Sequence, residues 1–262
     1  SKEHEEAVKS STAKNDYLAN MSNEIKTPIH AMMVKADELL HVVDRDSPYR
    51  KDIRGIYDIG NDILASVDDI ILLAKLESGR IDTEVGNYAV SDLAADMSDY
   101  VIKQLAENDK SVKFFVELGD NIVDNLIGDA DKIRSILLRL LDNAIRYTKQ
   151  GSITLSIDSY EYADHGHQDM INLVFTVADT GIGIQEERLD TIFNLYEDSE
   201  GAKMSKHTGH GVGLAIAKGY ADILHAELSV ESVYGAGSTF VLSLNQKPAV
   251  KLSSGQVVTK ID

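Results

Sequence analysis

Two stretches of the chain place glycines at alternate positions: residues 179–184 read DTGIGI and residues 209–214 read GHGVGL. Glycine lets backbone approach a ligand closely and leaves N–H groups exposed. A helix opening beside such a run also favours anionic oxygens. The chemistry these stretches suit is the cradling of a phosphate-bearing ligand. Neither is a Walker A loop, because no Gly-Lys-Ser/Thr follows, and neither is a dinucleotide fingerprint, because no parallel βαβ unit surrounds it. The chain has no cysteine, which excludes a thiolate metal site, a cysteine nucleophile and a disulfide framework.

These loops need elements to hold them, and the chain divides by pattern into two regions. Residues 1 to about 78 read as helix. Apolar or small residues fall at Leu18, Ser22, Ile25, Ile29, Met32, Ala36, Leu39 and Val43, in steps of four and three that make a heptad seam. Residues 44–48 interrupt it with a polar cluster and a proline suited to a turn. A second seam runs through Ile53, Ile56, Gly60, Ile63, Val67, Ile70 and Ala74. Two long helices joined this briefly make an antiparallel hairpin, and one hairpin alone leaves its apolar stripes half exposed. Two copies bury them as a four-helix bundle, so a homodimer is expected. An arm packed on its own globular domain is the alternative.

The expected organisation is a helical-hairpin dimerisation domain over 1–80, a linker over 81–90, an α/β sandwich over 91–246, and a tail or the start of a linker over 247–262. Within the second domain the pattern predicts a helix at 91–105 and a strand at 112–118. An amphipathic helix follows at 130–147, begun by Asp129 as N-cap. Strands at 152–158 and 171–178, a helix at 211–225, and a closing hairpin of 228–232 with 238–244 complete it. The first glycine stretch thus follows a strand directly and the second opens a helix.

At 262 residues and 43% apolar content the chain can bury a real core. Its 26 Lys and Arg face 43 Asp and Glu, a formal charge of -17. That acidity argues against nucleic acid or anionic lipid as the main partner, while leaving room for a local basic pocket. No apolar run approaches the roughly 20 residues of a membrane span, and no signal peptide is expected. A cytoplasmic location is expected, with membrane attachment only through segments outside this chain.

Several motifs then occur in order: Asn143-Ala144-x-Arg146-Tyr147-Thr148, the DTGIGI stretch, Ile192-Phe193, and Gly209-x-Gly211-x-Gly213-Leu214, with Ser238-Thr239-Phe240 on the last strand. This order closely resembles the N, G1, F and G2 boxes and closing strand of sensor histidine kinases, members of the gyrase-type ATPase superfamily with a Bergerat nucleotide fold. Upstream, Leu18-Ala19-Asn20-Met21-Ser22-x-Glu24-Ile25-Lys26-Thr27-Pro28 resembles their H box. The resemblance covers roughly residues 10–245. It implies ATP and Mg²⁺ as cofactors and a response-regulator receiver domain as partner. By the same resemblance Asp179 accepts the adenine amino group, helped by Thr239 through water, and Asn143 supplies an oxygen to Mg²⁺. Arg146 and Tyr147 lie beside the phosphates and the sugar or base. Gly181 and Gly183 of the first loop bind the nucleotide. Gly209, Gly211 and Gly213 form a lid hinge and phosphate cradle, Leu214 binds the nucleotide beside them, and residues 189–210 form a mobile lid carrying Lys203 and Lys206. Taken singly, Asn143 also reads as an ordinary helix polar group, and the two lysines as solvated charges.

Two positions depart from the resemblance. The family's phosphoacceptor histidine directly precedes the H-box glutamate, and here Asn23 stands there. Attack on the γ-phosphoryl group needs an imidazole nitrogen with a free lone pair. The lone pair of an amide nitrogen is delocalised into its carbonyl, so Asn23 cannot carry a phosphoramidate. His30 lies two helical turns on, roughly 10 Å away at 1.5 Å per residue, and His4 is placed still less well. Asn23 and Thr27 share a helix face with Glu24 beside them. By the resemblance, Glu24 stands at the family's base for the histidine, and Thr27 at the position that helps orient water during receiver dephosphorylation. Pro28 removes the backbone bond to the Glu24 carbonyl and is expected to bend the helix. The second departure is Arg139, one turn before Asn143, where these kinases usually carry another Asn. A guanidinium offers no lone pair to a metal, so it either binds phosphate or swings to solvent.

The expected function is therefore a two-component sensor histidine-kinase core that binds ATP and does not autophosphorylate at position 23. A nucleotide-sensing pseudokinase scaffold, a receiver phosphatase, a kinase that phosphorylates a histidine-bearing partner subunit in trans, and an engineered His-to-Asn form of an active kinase all remain open at this stage.

Overall fold

The computed structural model describes residues 2–108, 110–161, 170–194 and 212–249, with side chains from Ser22 onward. Two compact units emerge, one centred on Ser1–Ile81 and the other on Asp82–Glu197 with Ala217–Asp262.

The first unit is a helical hairpin of α1 (Lys2–Val42) and α2 (Arg50–Glu77). Helix α1 runs on through Pro28. Its last carbonyls have no helical partner. Arg50 supplies one, donating through Nη1 to the carbonyls of Leu40 at 2.7 Å and Val43 at 3.0 Å. The helices meet closely at Gly60, where a Cβ would lie 2.5 Å from Met33 Cγ. The Lys26 ammonium pairs with Asp68 across the hairpin.

The buried row on α1 is Ser22, Ile29, Met33, Ala36 and Leu40. Three seam positions read from sequence, Ile25, Met32 and Leu39, are instead exposed, and on α2 so are Ile56, Ile63 and Ile70. A helix advances about 100° per residue, so two adjacent rows divide the apolar stripe between them. One row meets the other helix of the hairpin and the other faces outward.

The second unit is a two-layer α/β sandwich. Its elements are β1 (Gly86–Ala89), α3 (Val90–Glu107), β2 (Val112–Leu118), β3 (Asn125–Gly128), α4 (Ala130–Tyr147), β4 (Gly151–Glu161), β5 (Ile171–Asp179), α5 (Glu186–Leu189), α6 (Gly213–Ile223), β6 (Glu227–Val233) and β7 (Gly237–Pro248). The strands lie in the order β1-β3-β7-β5-β4-β2, with β6 also paired to β7. All pairs are antiparallel except β2 with β4. Alternate residues of the central strands (Ile153, Leu155 and Ile157; Leu173, Phe175 and Val177; Leu242 and Leu244) are buried. They meet the buried faces of α3 and α4, which include Leu93, Met97, Val101, Ile133, Leu137 and Leu140.

Strands β1 and β3 have no counterpart in the sequence reading. Strand β1 lies inside the stretch read as a linker, and β7 runs on to Pro248, into the stretch read as a tail. Strands β1 and β3 have four residues each, too few to show a period, and they exist because they pair with each other and with the end of β7. Asp124, just before β3, starts α3: its carbonyl accepts from Val90 N–H and its carboxylate from Ser91 N–H, each at 2.8 Å.

Candidate nucleotide site

Helix α4 carries the first group of site residues. Asp129 caps it, with Oδ1 accepting Lys132 N–H at 3.1 Å. The other oxygen, Oδ2, accepts Lys132 Nζ at 2.6 Å and Glu84 N–H at 2.8 Å, while Nζ also donates to the Asp82 carbonyl at 2.6 Å. Both side chains are buried. Burial alone would raise the Asp129 carboxyl, but the hydrogen bonds from Lys132 and Glu84 outweigh it and hold the pKa low. This pair fixes where α4 begins and ties down the backbone of residues 82–84.

Along α4, Arg139 and Asn143 are half-buried one turn apart, and Arg146 and Tyr147 are exposed. Arg139 is held by an interaction of its own rather than swung free. Tyr100 of α3 donates its hydroxyl to Asp142, and burial together with that carboxylate pushes the phenol pKa up. Thr148, the C-cap residue, is fully buried, and its hydroxyl has no partner at hydrogen-bonding distance.

That hydroxyl lies near Asp179, at the end of β5, and favours its ionised form. Burial acts the other way and more strongly, so the Asp179 pKa is raised despite backbone N–H donors from Gly181 and Ser238. The Gly181 N–H lies 2.7 Å from Oδ1. The loop after Asp179 requires its glycines. A Cβ on Gly181 would fall 2.6 Å from the Tyr147 carbonyl oxygen and 2.7 Å from Asp179 Oδ1. Gly183 has φ +66°, and a Cβ there would lie 2.1 Å from the Val233 carbonyl oxygen. The β6–β7 turn clasps the same loop: Gly235 N–H donates to the Ile182 carbonyl at 2.7 Å, and Ile184 N–H to Ser232 Oγ at 2.8 Å.

The strand register redirects one expected contact. Asp179 pairs with Ser238, whereas Thr239 pairs with Ala178. Directly opposed residues share a sheet face, so Ser238 lies on the Asp179 side and Thr239 on the other. The Ser238 hydroxyl is 3.1 Å from Ser232 Oγ, whose own proton goes to the Gly237 carbonyl, so Ser238 is the donor. The sequence reading missed Ser238. Only the pairing register, set by β5 and β7 together, separates it from its neighbour.

Phe193 packs edge-on against Phe240, with ring centroids 6.4 Å apart. Gly213 and Leu214 open α6. Gly209, Gly211, Lys203, Lys206 and residues 195–210 of the expected lid lie outside the described residues. In the hairpin, Asn23, Glu24, Thr27 and His30 are all exposed on α1, and Thr27 Oγ1 donates to the Asn23 carbonyl at 2.9 Å.

Comparison with known proteins fits this arrangement. Residues 13–79 match the His Kinase A (phospho-acceptor) domain, and residues 128–248 match the histidine kinase-, DNA gyrase B- and HSP90-like ATPase family. The chain is a two-component sensor histidine-kinase core. It is 31% identical over 244 residues to the autoinducer 2 sensor kinase/phosphatase LuxQ of Vibrio harveyi, covering 92% of this chain and 28% of LuxQ. It is 29% identical to the peroxide stress-activated histidine kinase mak2 of Schizosaccharomyces pombe, covering 90% of this chain and 10% of mak2. This kinase core thus spans under a third of the length of these relatives. Among solved structures, full-length ShkA in complex with AMPPNP superposes with a TM-score of 0.72 at 22% identity, covering 90% of this chain and 47% of ShkA. The histidine kinase AdeS of Acinetobacter baumannii gives 0.54 at 18%, covering 87% of this chain and 98% of AdeS. These two show the shared fold. Among the described residues no helix is long and apolar enough to cross a membrane.

The residues of the α/β unit fit ATP, the nucleotide of this ATPase family. Asp179 is an oriented acceptor beside the orphaned Thr148 hydroxyl, and neither Gly181 nor Gly183 has room for a side chain. Asn143 carries a side-chain oxygen of the kind that would serve a magnesium ion, which draws most of its remaining ligands from phosphates and water.

Proposed function

We propose that this kinase core is a homodimer that binds ATP with Mg²⁺, communicates with a receiver domain, and does not phosphorylate itself at position 23. The observation that carries the last clause is Asn23 itself, exposed on α1 immediately before Glu24. In a histidine kinase the acceptor nitrogen forms a bond to the γ-phosphorus as the bond to the departing ADP oxygen breaks. An amide nitrogen has no lone pair available for that bond. Bound ATP supplies the transferable phosphoryl group. Asp179, with Ser238 and Thr148 around it, selects the adenine, Asn143 and Arg146 meet the phosphate end, and Arg139 adds charge without ligating the metal.

The test is incubation with γ-labelled ATP and Mg²⁺, with the chain as written and with Asn23→His. Label on the histidine version alone supports the proposal. Label on neither places the lesion at Arg139 or elsewhere in the nucleotide site. An acid-labile, base-stable phosphate on α1 of the unmodified chain refutes it.

The homodimer rests on the outward row of Ile25, Met32 and Leu39 with Ile56, Ile63 and Ile70, apolar side chains that a second hairpin would cover. A second activity, receiver dephosphorylation, is favoured by Thr27 and Glu24, both exposed beside Asn23, and by the kinase/phosphatase relative. Loss of label from a phosphorylated receiver domain that Thr27→Ala abolishes supports it. Equal loss with both chains refutes it.

A further inference from the structure

The last turn of α4 exposes carbonyls that its own helix cannot satisfy, and each one can be followed to a donor. The Ala144 carbonyl accepts from Thr148 N–H at 3.0 Å, and the Tyr147 carbonyl from Ile182 N–H at 3.4 Å. The carbonyls of Ile145, Arg146 and Thr148 all accept from one group, the ammonium of Lys110, at 3.4 Å for Arg146 and 3.2 Å for Thr148. An ammonium has three donors, and Lys110 faces three acceptors. It follows α3, whose Leu105 carbonyl accepts the Lys110 N–H at 3.1 Å. A cation at the negative end of a helix also complements its dipole.

The carbonyls held by Lys110 flank Tyr147, and the Tyr147 carbonyl is the surface against which Gly181 is pressed. Thr148, whose own carbonyl Lys110 holds, carries the hydroxyl beside Asp179. The turn that Lys110 closes therefore joins the helix bearing Asn143 to the loop bearing Asp179. We propose that Lys110 is a positioning residue for nucleotide binding, setting the exit of α4 against the 179–184 loop without touching the nucleotide. The contrasting assignment is a helix cap that adds stability alone. Burial of the ammonium, with Arg146 and Lys149 nearby, lowers its pKa, in keeping with a group committed to backbone acceptors rather than to water. The inference rests on the ATP reading above.

The experiment compares the full chain with Lys110→Met and Lys110→Arg, measuring ADP–Mg²⁺ affinity by calorimetry and amide hydrogen exchange of residues 181–183 without nucleotide. Lys110→Met is expected to weaken ADP roughly tenfold, the scale of one lost charge-assisted hydrogen bond, and to speed exchange in the loop. Lys110→Arg, which keeps charge and donors, is expected to restore both. A Lys110→Met chain with lowered melting temperature but unchanged affinity and unchanged loop exchange makes Lys110 a cap only and overturns the proposal. Lys110→Gln replaces Lys110→Met if the latter does not fold, and failure of both neutral variants to fold assigns Lys110 to stability and overturns it too. Absence of ADP binding in the unmodified chain would remove the nucleotide reading instead, and the exchange measurement would still decide the role of Lys110 in the loop.

Discussion

Replacing Asp179 with asparagine separates the ligand role of this carboxylate from its cost to the empty protein. The carboxylate already accepts Gly181 N–H at 2.7 Å and a second backbone N–H from Ser238, yet burial leaves its pKa raised. An amide of the same shape cannot present two acceptor oxygens, and its NH₂ opposes either a backbone donor or the adenine amino group. A hydrogen bond to a charged group is worth about 1.5–3 kcal/mol, so ADP affinity should fall roughly 10- to 150-fold. The sign for stability is opposite. A carboxyl with a raised folded-state pKa contributes stability that is full below its unfolded pKa and lost as pH rises through the folded one. At neutral pH ionised Asp179 is therefore a burden on the nucleotide-free protein, and Asp179→Asn should leave its melting temperature unchanged or higher. Calorimetry with ADP and thermal unfolding without it give the two numbers. Unaltered affinity, or a melting temperature that falls together with affinity, would refute the reasoning. For the unmodified chain, affinity should begin to weaken with falling pH above the ordinary Asp range of about 3.9.

Three further outcomes are expected. Lys132→Met strands the buried Asp129 carboxylate and should cost roughly 3–5 kcal/mol in urea unfolding, and a loss under about 1 kcal/mol would show that the pair adds little. Gly181→Ala drives a Cβ into the Tyr147 carbonyl, which is backbone and cannot yield, so about 1–3 kcal/mol of strain should appear in unfolding together with lost ADP binding. Retained binding would mean the loop can shift. Met32→Glu with Ile63→Glu places charge on the outward row and should halve the mass seen by light scattering at micromolar concentration with helicity kept. A unmodified chain that already scatters as a monomer would end the dimer proposal.

The helices and long strands were legible because their signal is local. The span of α4 and its Asp129 cap followed from a 3.6-residue period and one side chain, and β4 and β5 from alternation over most of their length. The order of the glycine stretches was legible too, because close backbone approach needs glycine whatever surrounds it. Asn23 needs no structure at all, since the failure of an amide as a nucleophile is a property of the residue.

What tertiary structure decided is everything that depends on a partner distant in the chain. Heptad spacing marks a broad apolar stripe on α1, but only the approach of α2 chose Met33 and Leu40 over Met32 and Leu39 for the hairpin interior. Four-residue strands carry no period, so β1 and β3 exist through pairing alone. Ser238 and Thr239 are chemically alike, and a register between strands some sixty residues apart put one beside Asp179 and its neighbour on the far face. Lys110 lies 35 residues before the first carbonyl it holds, and no local pattern marks a lysine that will close another helix. Sequence records what each residue can do within a turn or a pleat, whereas register and packing choose among equivalent residues, because that choice is an energy shared between segments.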